Sequence, residues 1–276
     1  MDWEAVPGSE TCSRPAGGPG PQQTGTWEGN RGQNTNFPPR FPDRLSRRPT
    51  IATSDPGGGA GDGRYAPAVG EVWAIVVAAG TGQRFGGPKQ FEPLLHQRVL
   101  DWSLAAARKA CDGVVAVLPP DRLEPGTQPG GATRSASVRA GLAAVPDSAE
   151  IVVVHDAARP LAGAELFERV VAAIRAGDGV DAAIPVLAVA DTIKRIRGDR
   201  VTETLDRTEL VMVQTPQAFR AEALRKAHAG EPEATDDAAL IEAMGGTVVT
   251  VPGDRRNFKL TSPDDLILAS VLLAQP

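Results

Sequence analysis

Residues 72–90 read VWAIVVAAGTGQRFGGPKQ, and this stretch decides the fold. It begins with apolar, mostly aliphatic residues, a run typical of a strand that is buried on both faces, as in a parallel sheet. The run opens into a loop of glycines, where backbone N–H groups can approach an anion closely because no Cβ intervenes. Arg84 and Lys89 are the only charged residues of that loop. The pattern predicts a cradle for a triphosphate at the end of the strand.

Two better-known phosphate loops do not fit this stretch. In a Walker A loop, four residues separate a glycine from a Gly-Lys-Ser/Thr sequence. Here four residues separate Gly82 from Gly87, but Pro88 follows Gly87 where the lysine is required. A dinucleotide fingerprint requires a glycine where the chain has Phe85, and an acidic residue about 20 positions further on. At that distance the only acid is Asp101, inside a predicted helix. The loop is therefore neither of these, and a plain strand-to-helix turn is the remaining alternative.

Composition divides the chain into two parts. Residues 1–70 hold 13 Gly and 10 Pro without apolar periodicity, which predicts a disordered Gly/Pro-rich N-terminal extension. A tail with its own function and a start codon placed too far upstream both stay open. Residues 71–276 form the predicted domain, with 22 Lys and Arg against 27 Asp and Glu.

The charge and cysteine content of the chain bear on its partners and location. An acidic domain of this kind argues against a nucleic-acid surface. Two cysteines make neither a disulfide framework nor a metal set, which favours the reducing cytoplasm. No apolar stretch reaches the roughly 18–20 residues that a membrane span requires.

Strand and helix patterns alternate along the domain, which predicts an α/β fold with a doubly wound, mostly parallel sheet. Ligands bind such sheets beyond the carboxyl ends of the strands, so the loops there should form the site. The predicted strands are 72–78, 113–118, 150–155, 180–186, 210–214 and 247–251, and the predicted helices are 99–109, 135–144, 163–176, 220–229, 236–243 and 263–273.

Polar motifs follow several of these strands. The sequence HDAARP at 155–160 sets Asp156 and Arg159 three residues apart in one loop, although an ordinary helix-capping Asp is an equal alternative. His155 has no second histidine nearby, so we interpret it as a hydrogen-bonded packing residue. Residues 191–207 are too polar for a buried sheet and predict a protruding β-hairpin arm that turns at residues 198–199.

These motifs together carry a resemblance. Residues 78–84 with Pro88-Lys89-Gln90 are similar to the nucleotide-binding signature of bacterial nucleotidyltransferases. With HDAARP, DTIK at 191–194, TPQ at 215–217 and NFK at 257–259, the chain from about residue 72 resembles the 2-C-methyl-D-erythritol 4-phosphate cytidylyltransferase family of the non-mevalonate isoprenoid pathway. HDAARP is the most discriminating element.

The resemblance implies transfer of a cytidylyl group from CTP to the polyol phosphate, with Mg²⁺ held mainly by the CTP phosphates and not by protein ligands. It also implies a homodimer in which the arm at about 191–207 completes the partner's site. The implied catalytic residues are Arg84, Lys89, Lys259 and Arg207. The implied CTP-binding residues are Val77, Ala78, Ala79, Gly80, Thr81, Gly82, Gly131, Ser137, Asp156 and Ala157. The implied acceptor-binding residues are Asp156, Arg159, Thr192, Arg207, Thr215 and Thr235.

The chain departs from the family pattern in one loop. The family usually has an acidic residue two or three positions before the Arg of the Gly-Gly loop, where this chain has Ala132 and Thr133. Two other functions stay open: a cytidylyltransferase for another polyol phosphate such as ribitol 5-phosphate, and a nucleotide-binding regulatory module without turnover. The two retained cations of the glycine loop argue against the second.

Overall fold

The structure is a computed structural model that describes residues 70–275. A central eight-stranded sheet organises this part of the chain. The strands are β1 (Glu71–Val77), β2 (Pro93–Leu94), β3 (Gln97–Arg98), β4 (Gly113–Leu118), β5 (Gln128–Pro129), β6 (Ala149–Asp156), β7 (Ala182–Ala188), β8 (Lys194–Arg197), β9 (Arg200–Thr204), β10 (Val211–Val213), β11 (Gln217–Arg220) and β12 (Val248–Pro252). The helices are α1 (Val99–Ala110), α2 (Arg134–Ala143), α3 (Ala164–Ala176), α4 (Ala221–Ala227), α5 (Asp237–Ala243) and α6 (Pro263–Leu273). Each predicted helix and strand is present, with bounds shifted by at most two residues.

The sheet is mostly parallel, as predicted. Parallel ladders join β1 to β4 and β6, β4 to β5, and β7 to β12. The prediction missed β11, which lies antiparallel between β6 and β7 and sets Phe219 opposite Val152. Its four residues, QAFR, are too short to show a strand period, so the pairing is visible only in the assembled sheet.

The core lies on both faces of the sheet, which is the doubly wound arrangement. Ala74 and Val76 of β1 belong to one buried cluster, with Phe167 of α3. Ile75, between them, belongs to the other cluster, with Phe219. Side chains of a strand alternate between its faces, so a continuous apolar run satisfies both layers of helices. The apolar run of β1 is thus explained by its position in the middle of the sheet.

The predicted arm is a two-stranded antiparallel hairpin of β8 and β9, separate from the main sheet. It turns at Gly198, whose φ of 63° lies in the left-handed region that favours glycine. All residues of both strands are exposed, including Ile196 and Val201. None of residues 70–275 covers the hairpin.

Two further predictions concern the N-terminal extension and membrane-spanning segments. The extension predicted for residues 1–70 lies, apart from Gly70, outside the described residues. Within residues 70–275 no helix has the length and apolarity needed to cross a membrane.

Candidate active site

A deep cleft lies beyond the carboxyl ends of β1, β4 and β6, where a parallel sheet is expected to bind its ligand. Its volume is about 870 Å³. Thirteen of the residues singled out from the sequence line it: Val77, Ala78, Ala79, Gly80, Thr81, Gly82, Arg84, Lys89, Gly131, Ser137, Asp156, Ala157 and Lys259. The strand order therefore brings loops that are far apart in the sequence to one place.

The glycine loop is closed by its own backbone. The carbonyl of Gly82 accepts hydrogen bonds from the N–H groups of Phe85, Gly86 and Gly87, at 2.8, 3.1 and 3.3 Å. Gly82 has a φ of 69°, and a Cβ there would meet the Gly87 carbonyl oxygen at 1.7 Å, so only glycine fits. A buried Gln90 side chain, which carried no predicted role, donates to the carbonyls of Ala78 and Gly80, and this fixes the start of the loop.

The cations of the cleft repel one another. Burial lowers the pKa of the Lys89 ammonium, and the positive charges of Lys259 and Arg84 lower the pKa further. An anionic ligand in the cleft would relieve this repulsion. The geometry therefore favours a polyanion at the glycine loop.

Asp156 is the carboxylate at the floor of the cleft. Its Oδ2 lies 2.6 Å from Lys259 Nζ, and its Oδ1 lies 3.3 Å from Arg134 Nε. Burial would raise the pKa of this carboxyl group, but the charges of Lys259 and Arg134 outweigh burial and hold the pKa well below its usual range. The group stays ionised at neutral pH, so it can orient a ligand but has no proton to donate.

Asp156 belongs to a chain of ion pairs and hydrogen bonds that runs from the cleft into the interior, and we name it the Arg134 chain: His228, Asp237, Arg134, Asp156 and Lys259. Arg134 Nη1 lies 2.8 Å from Asp237 Oδ2, and His228 Nε2 lies 2.9 Å from Asp237 Oδ1. Burial lowers the pKa of the Arg134 guanidinium, but both carboxylates outweigh it and raise the pKa above its usual value. The chain orients Arg134 toward the cleft.

Sequence reasoning missed the inner half of the Arg134 chain. Asp237 follows Asp236, whose carboxylate caps α5 by accepting from the Ala239 N–H, so both acids resembled ordinary helix-start residues. The one signal in the sequence was the presence of a second acid, because a helix start that Asp236 already caps does not need Asp237 as well. Arg134 and Asp237 are 103 residues apart, which hides their pairing from any local pattern.

Arg159 lines a second cavity, of about 420 Å³, which shares Lys259 with the larger cleft. Its Nη1 donates to the Asn257 carbonyl at 2.8 Å and its Nη2 donates to the Val213 carbonyl at 3.3 Å. Burial lowers the pKa of this guanidinium, and Asp156 opposes that effect. Lys259 therefore lies between two adjoining cavities.

Thr215 supports the site from inside the protein. Its hydroxyl oxygen accepts the Asp156 N–H at 3.0 Å and lies 3.1 Å from His155 Nδ1. Burial lowers the pKa of His155 to about 4, so this imidazole is neutral at physiological pH. Its ring packs against Phe167, in keeping with its interpretation as a packing residue. The Thr215 hydroxyl, predicted to bind the acceptor, is instead buried in these contacts.

The remaining predicted acceptor residues are exposed and line neither of these two cavities: Thr192, Arg207 and Thr235. Arg207 donates through Nη1 to the carbonyl of Ala190, near the base of the arm. The structure does not bring these three side chains to the cleft of their own subunit.

The loop that departs from the family pattern has a structural role. The Thr133 side chain caps α2 by accepting the Ala136 N–H, and it donates to Glu233 at 2.8 Å. Ser137 Oγ accepts the Gly131 N–H at 3.2 Å and donates to the Thr133 carbonyl at 2.9 Å. These bonds hold the loop against the cleft without an acidic residue at 132 or 133.

Comparison with known proteins agrees with this geometry. The family model described as 2-C-methyl-D-erythritol 4-phosphate cytidylyltransferase matches residues 72–275. A relative of that name from Rhodococcus opacus is 46% identical over 223 residues, which cover 75% of this chain and 96% of the relative.

Two further comparisons extend the match. A crystal structure of the 2-C-methyl-D-erythritol 4-phosphate cytidylyltransferase from Thermus thermophilus is similar with a TM-score of 0.62 and 38% identity, covering 72% of this chain and 97% of that chain. The bifunctional enzyme IspD/IspF of Dinoroseobacter shibae is 44% identical over 219 residues, 74% of this chain, but the match spans only 54% of that longer relative. The chain belongs to the 2-C-methyl-D-erythritol 4-phosphate cytidylyltransferase family, and it is therefore a nucleotidyltransferase.

Proposed function

We propose that this enzyme transfers a cytidylyl group from CTP to 2-C-methyl-D-erythritol 4-phosphate, releasing pyrophosphate and forming 4-diphosphocytidyl-2-C-methyl-D-erythritol. Family membership supports the reaction. The observation that carries the proposal is the convergence of Arg84, Lys89 and Lys259 on one cleft, where burial and, after it, the charges of Lys259 and Arg84 lower the pKa of Lys89. Such a field suits a triphosphate and a second phosphate together.

The chemical step needs little beyond position and charge. A phosphate oxygen of the acceptor is already an anionic nucleophile, so it can attack the α-phosphorus in line without a general base, and pyrophosphate leaves. Catalysis then consists of alignment and of neutralising the charge that builds up on the transferring phosphoryl group. Arg84 and Lys89 would neutralise this charge from the glycine loop. Lys259 would do so from between the α-phosphate of CTP and the phosphate of the acceptor.

The nucleotide side of the cleft would be read largely by backbone groups. Residues 77–82, Gly131 and Ala157 line it, and small residues there let the base approach the main chain. Ser137 already uses its hydroxyl within the loop, so its role would be to hold Gly131 in place.

Mg²⁺ fits this cleft as an ion that arrives with the nucleotide. Among the described residues, His, Cys, Asp and Glu side chains form no group of three or more that could hold a metal. Asp156, at the floor, is already engaged by Lys259 and Arg134. We propose that oxygens of the CTP phosphates hold the ion, which would supply positive charge to the transferring phosphoryl group and to the leaving pyrophosphate.

The acceptor would lie between Asp156 and Arg159, next to Lys259. The exposed positions of Thr192, Arg207 and Thr235 support a homodimer in which the arm of one subunit reaches the site of the other, because these side chains line neither of the two cavities described above. An isolated polar hairpin is marginally stable, and a partner would order it.

We also propose a cytoplasmic location. It rests on the cysteine content, since Cys12 and Cys111 leave no set for a disulfide framework.

The test is release of pyrophosphate by the purified full-length protein with Mg²⁺, each of the four ribonucleoside triphosphates and a set of polyol phosphates. We expect release with CTP and methylerythritol phosphate, and a loss of release when EDTA removes the metal. Equal or faster release with ribitol 5-phosphate would reassign the acceptor, and equal release with a purine triphosphate would reassign the nucleotide.

A further inference from the structure

The second cavity, at the side of the active site, has a positively charged lining. Three cations line its volume of about 420 Å³, Arg159, Arg255 and Lys259, and none of the lining residues is acidic. The rest of its wall is mostly apolar, including Met212 and Phe258. Apolar walls lower the local dielectric and so strengthen the field of the cations.

Of these three cations, Arg255 is the one whose side chain forms no hydrogen bond or ion pair with the described residues. Lys259 is paired with Asp156, and Arg159 donates to two carbonyls. Arg255 makes no ion pair or side-chain hydrogen bond with the residues that the structure describes, and it is exposed at the cavity. Its charge is therefore available to an incoming ligand.

The backbone that carries Arg255 is held rigidly. The buried amide of Gln214 donates to the carbonyls of Asp254 and Asn257, at 2.8 and 3.0 Å, and accepts the Asp254 N–H at 3.0 Å. The Asn257 N–H closes the turn on the Asp254 carbonyl at 3.0 Å. These bonds fix the Cα of Arg255 beside the cavity that its side chain lines.

We infer that Arg255 captures the phosphorylated acceptor, drawing its phosphate into the second cavity and toward Lys259. The inference rests on the proposed function and adds a residue that none of the recognised motifs assigns. CTP is not the ligand of this charge, because the glycine loop that would hold its phosphates lines the other cavity. Capture by an exposed charge acts on the encounter and is screened by salt.

The neighbouring residue provides a matched control. Arg256 is also exposed, but its Nη2 donates to the Leu272 carbonyl at the end of α6 and it does not line the cavity. Arg255→Gln, Arg255→Glu and Arg256→Gln would be compared in the pyrophosphate-release assay, at low and at high ionic strength. Size-exclusion chromatography of each variant monitors the oligomeric state.

At low ionic strength we expect kcat/KM for the acceptor to fall about threefold in R255Q and about tenfold in R255E, because charge reversal doubles the change in interaction energy. Both effects should shrink toward unity at 0.5 M salt, where the screening length is only about 4 Å. The values of kcat and of KM for CTP should stay as in the parent enzyme, and R256Q should match the parent in kcat, in both KM values and in their salt dependence.

An unchanged kcat/KM for the acceptor in R255E would overturn the inference. So would an equal rise in KM for CTP, a loss that persists at high salt, or a change in oligomeric state that accounts for the loss. If the parent protein releases no pyrophosphate with any polyol phosphate, the proposed function fails instead, so the two failures are distinguishable.

Discussion

Replacing Asp237 by Asn removes the buried negative charge between His228 and Arg134 in the Arg134 chain while keeping the shape of the side chain. Asp237 is fully buried, and the side chain of His228 is 2% exposed and that of Arg134 23% exposed. Breaking a buried ion pair by removing one partner costs about 3–5 kcal/mol of unfolding free energy, since the other charge is left uncompensated.

Two features of the structure reduce that cost. Arg134 keeps Asp156 as a second carboxylate partner, and the amide oxygen at 237 can still accept one hydrogen bond. We therefore expect a loss of about 2–3 kcal/mol for Asp237→Asn. For a domain of this size, each kcal/mol lowers Tm by about 2–4 °C, so Tm should fall by roughly 4–12 °C.

Urea unfolding of the full-length protein, followed by circular dichroism, measures this loss, with a thermal scan for Tm. Asp147→Asn is the control, because its carboxylate is fully exposed and lies 3.7 Å from Arg225. Its unfolding midpoint should not change. A loss below about 1 kcal/mol for Asp237→Asn would refute the reasoning, since it would mean that the buried charges do not depend on one another.

Three further outcomes are expected. Lys89→Ala should lower kcat by roughly 100-fold and raise KM for CTP much less, because its charge acts most on the transition state; an effect on KM alone in steady-state kinetics would make it a binding residue only. Because the pKa of Asp156 is depressed in the folded state, its ionised carboxylate stabilises the fold above about pH 4, the pKa range of an unfolded aspartate. This stabilisation is lost as the pH falls toward the folded pKa. The unfolding free energy of Asp156→Asn should accordingly depend less on pH below about 4 than that of the parent, as measured by urea unfolding across that range. Arg207→Ala should impair activity without unfolding the subunit, and mixing it with Lys89→Ala should restore part of the activity through mixed dimers with one intact site; no recovery despite proven subunit exchange would contradict a shared site.

The order of the longer helices and strands and the position of the glycine loop followed from the sequence alone. The apolar run of β1 is a local property, and so are the helical periods. The need for glycine at Gly82 is local too, because its φ and the nearby Gly87 carbonyl belong to one short turn. Such features depend on residues a few positions apart, and a sequence displays them directly.

Only the tertiary structure decided which side chains of the site touch. Lys259 meets Asp156 and Arg134 meets Asp237 across 103 residues each, and no local pattern encodes either pair. The hydroxyl of Thr215 turned inward to the Asp156 N–H, because its segment leads into β11, which pairs with β6. Register between strands, and the direction in which a side chain then points, follow from how distant segments pack around a common core. That packing lowers the free energy of the whole chain and not of any one segment.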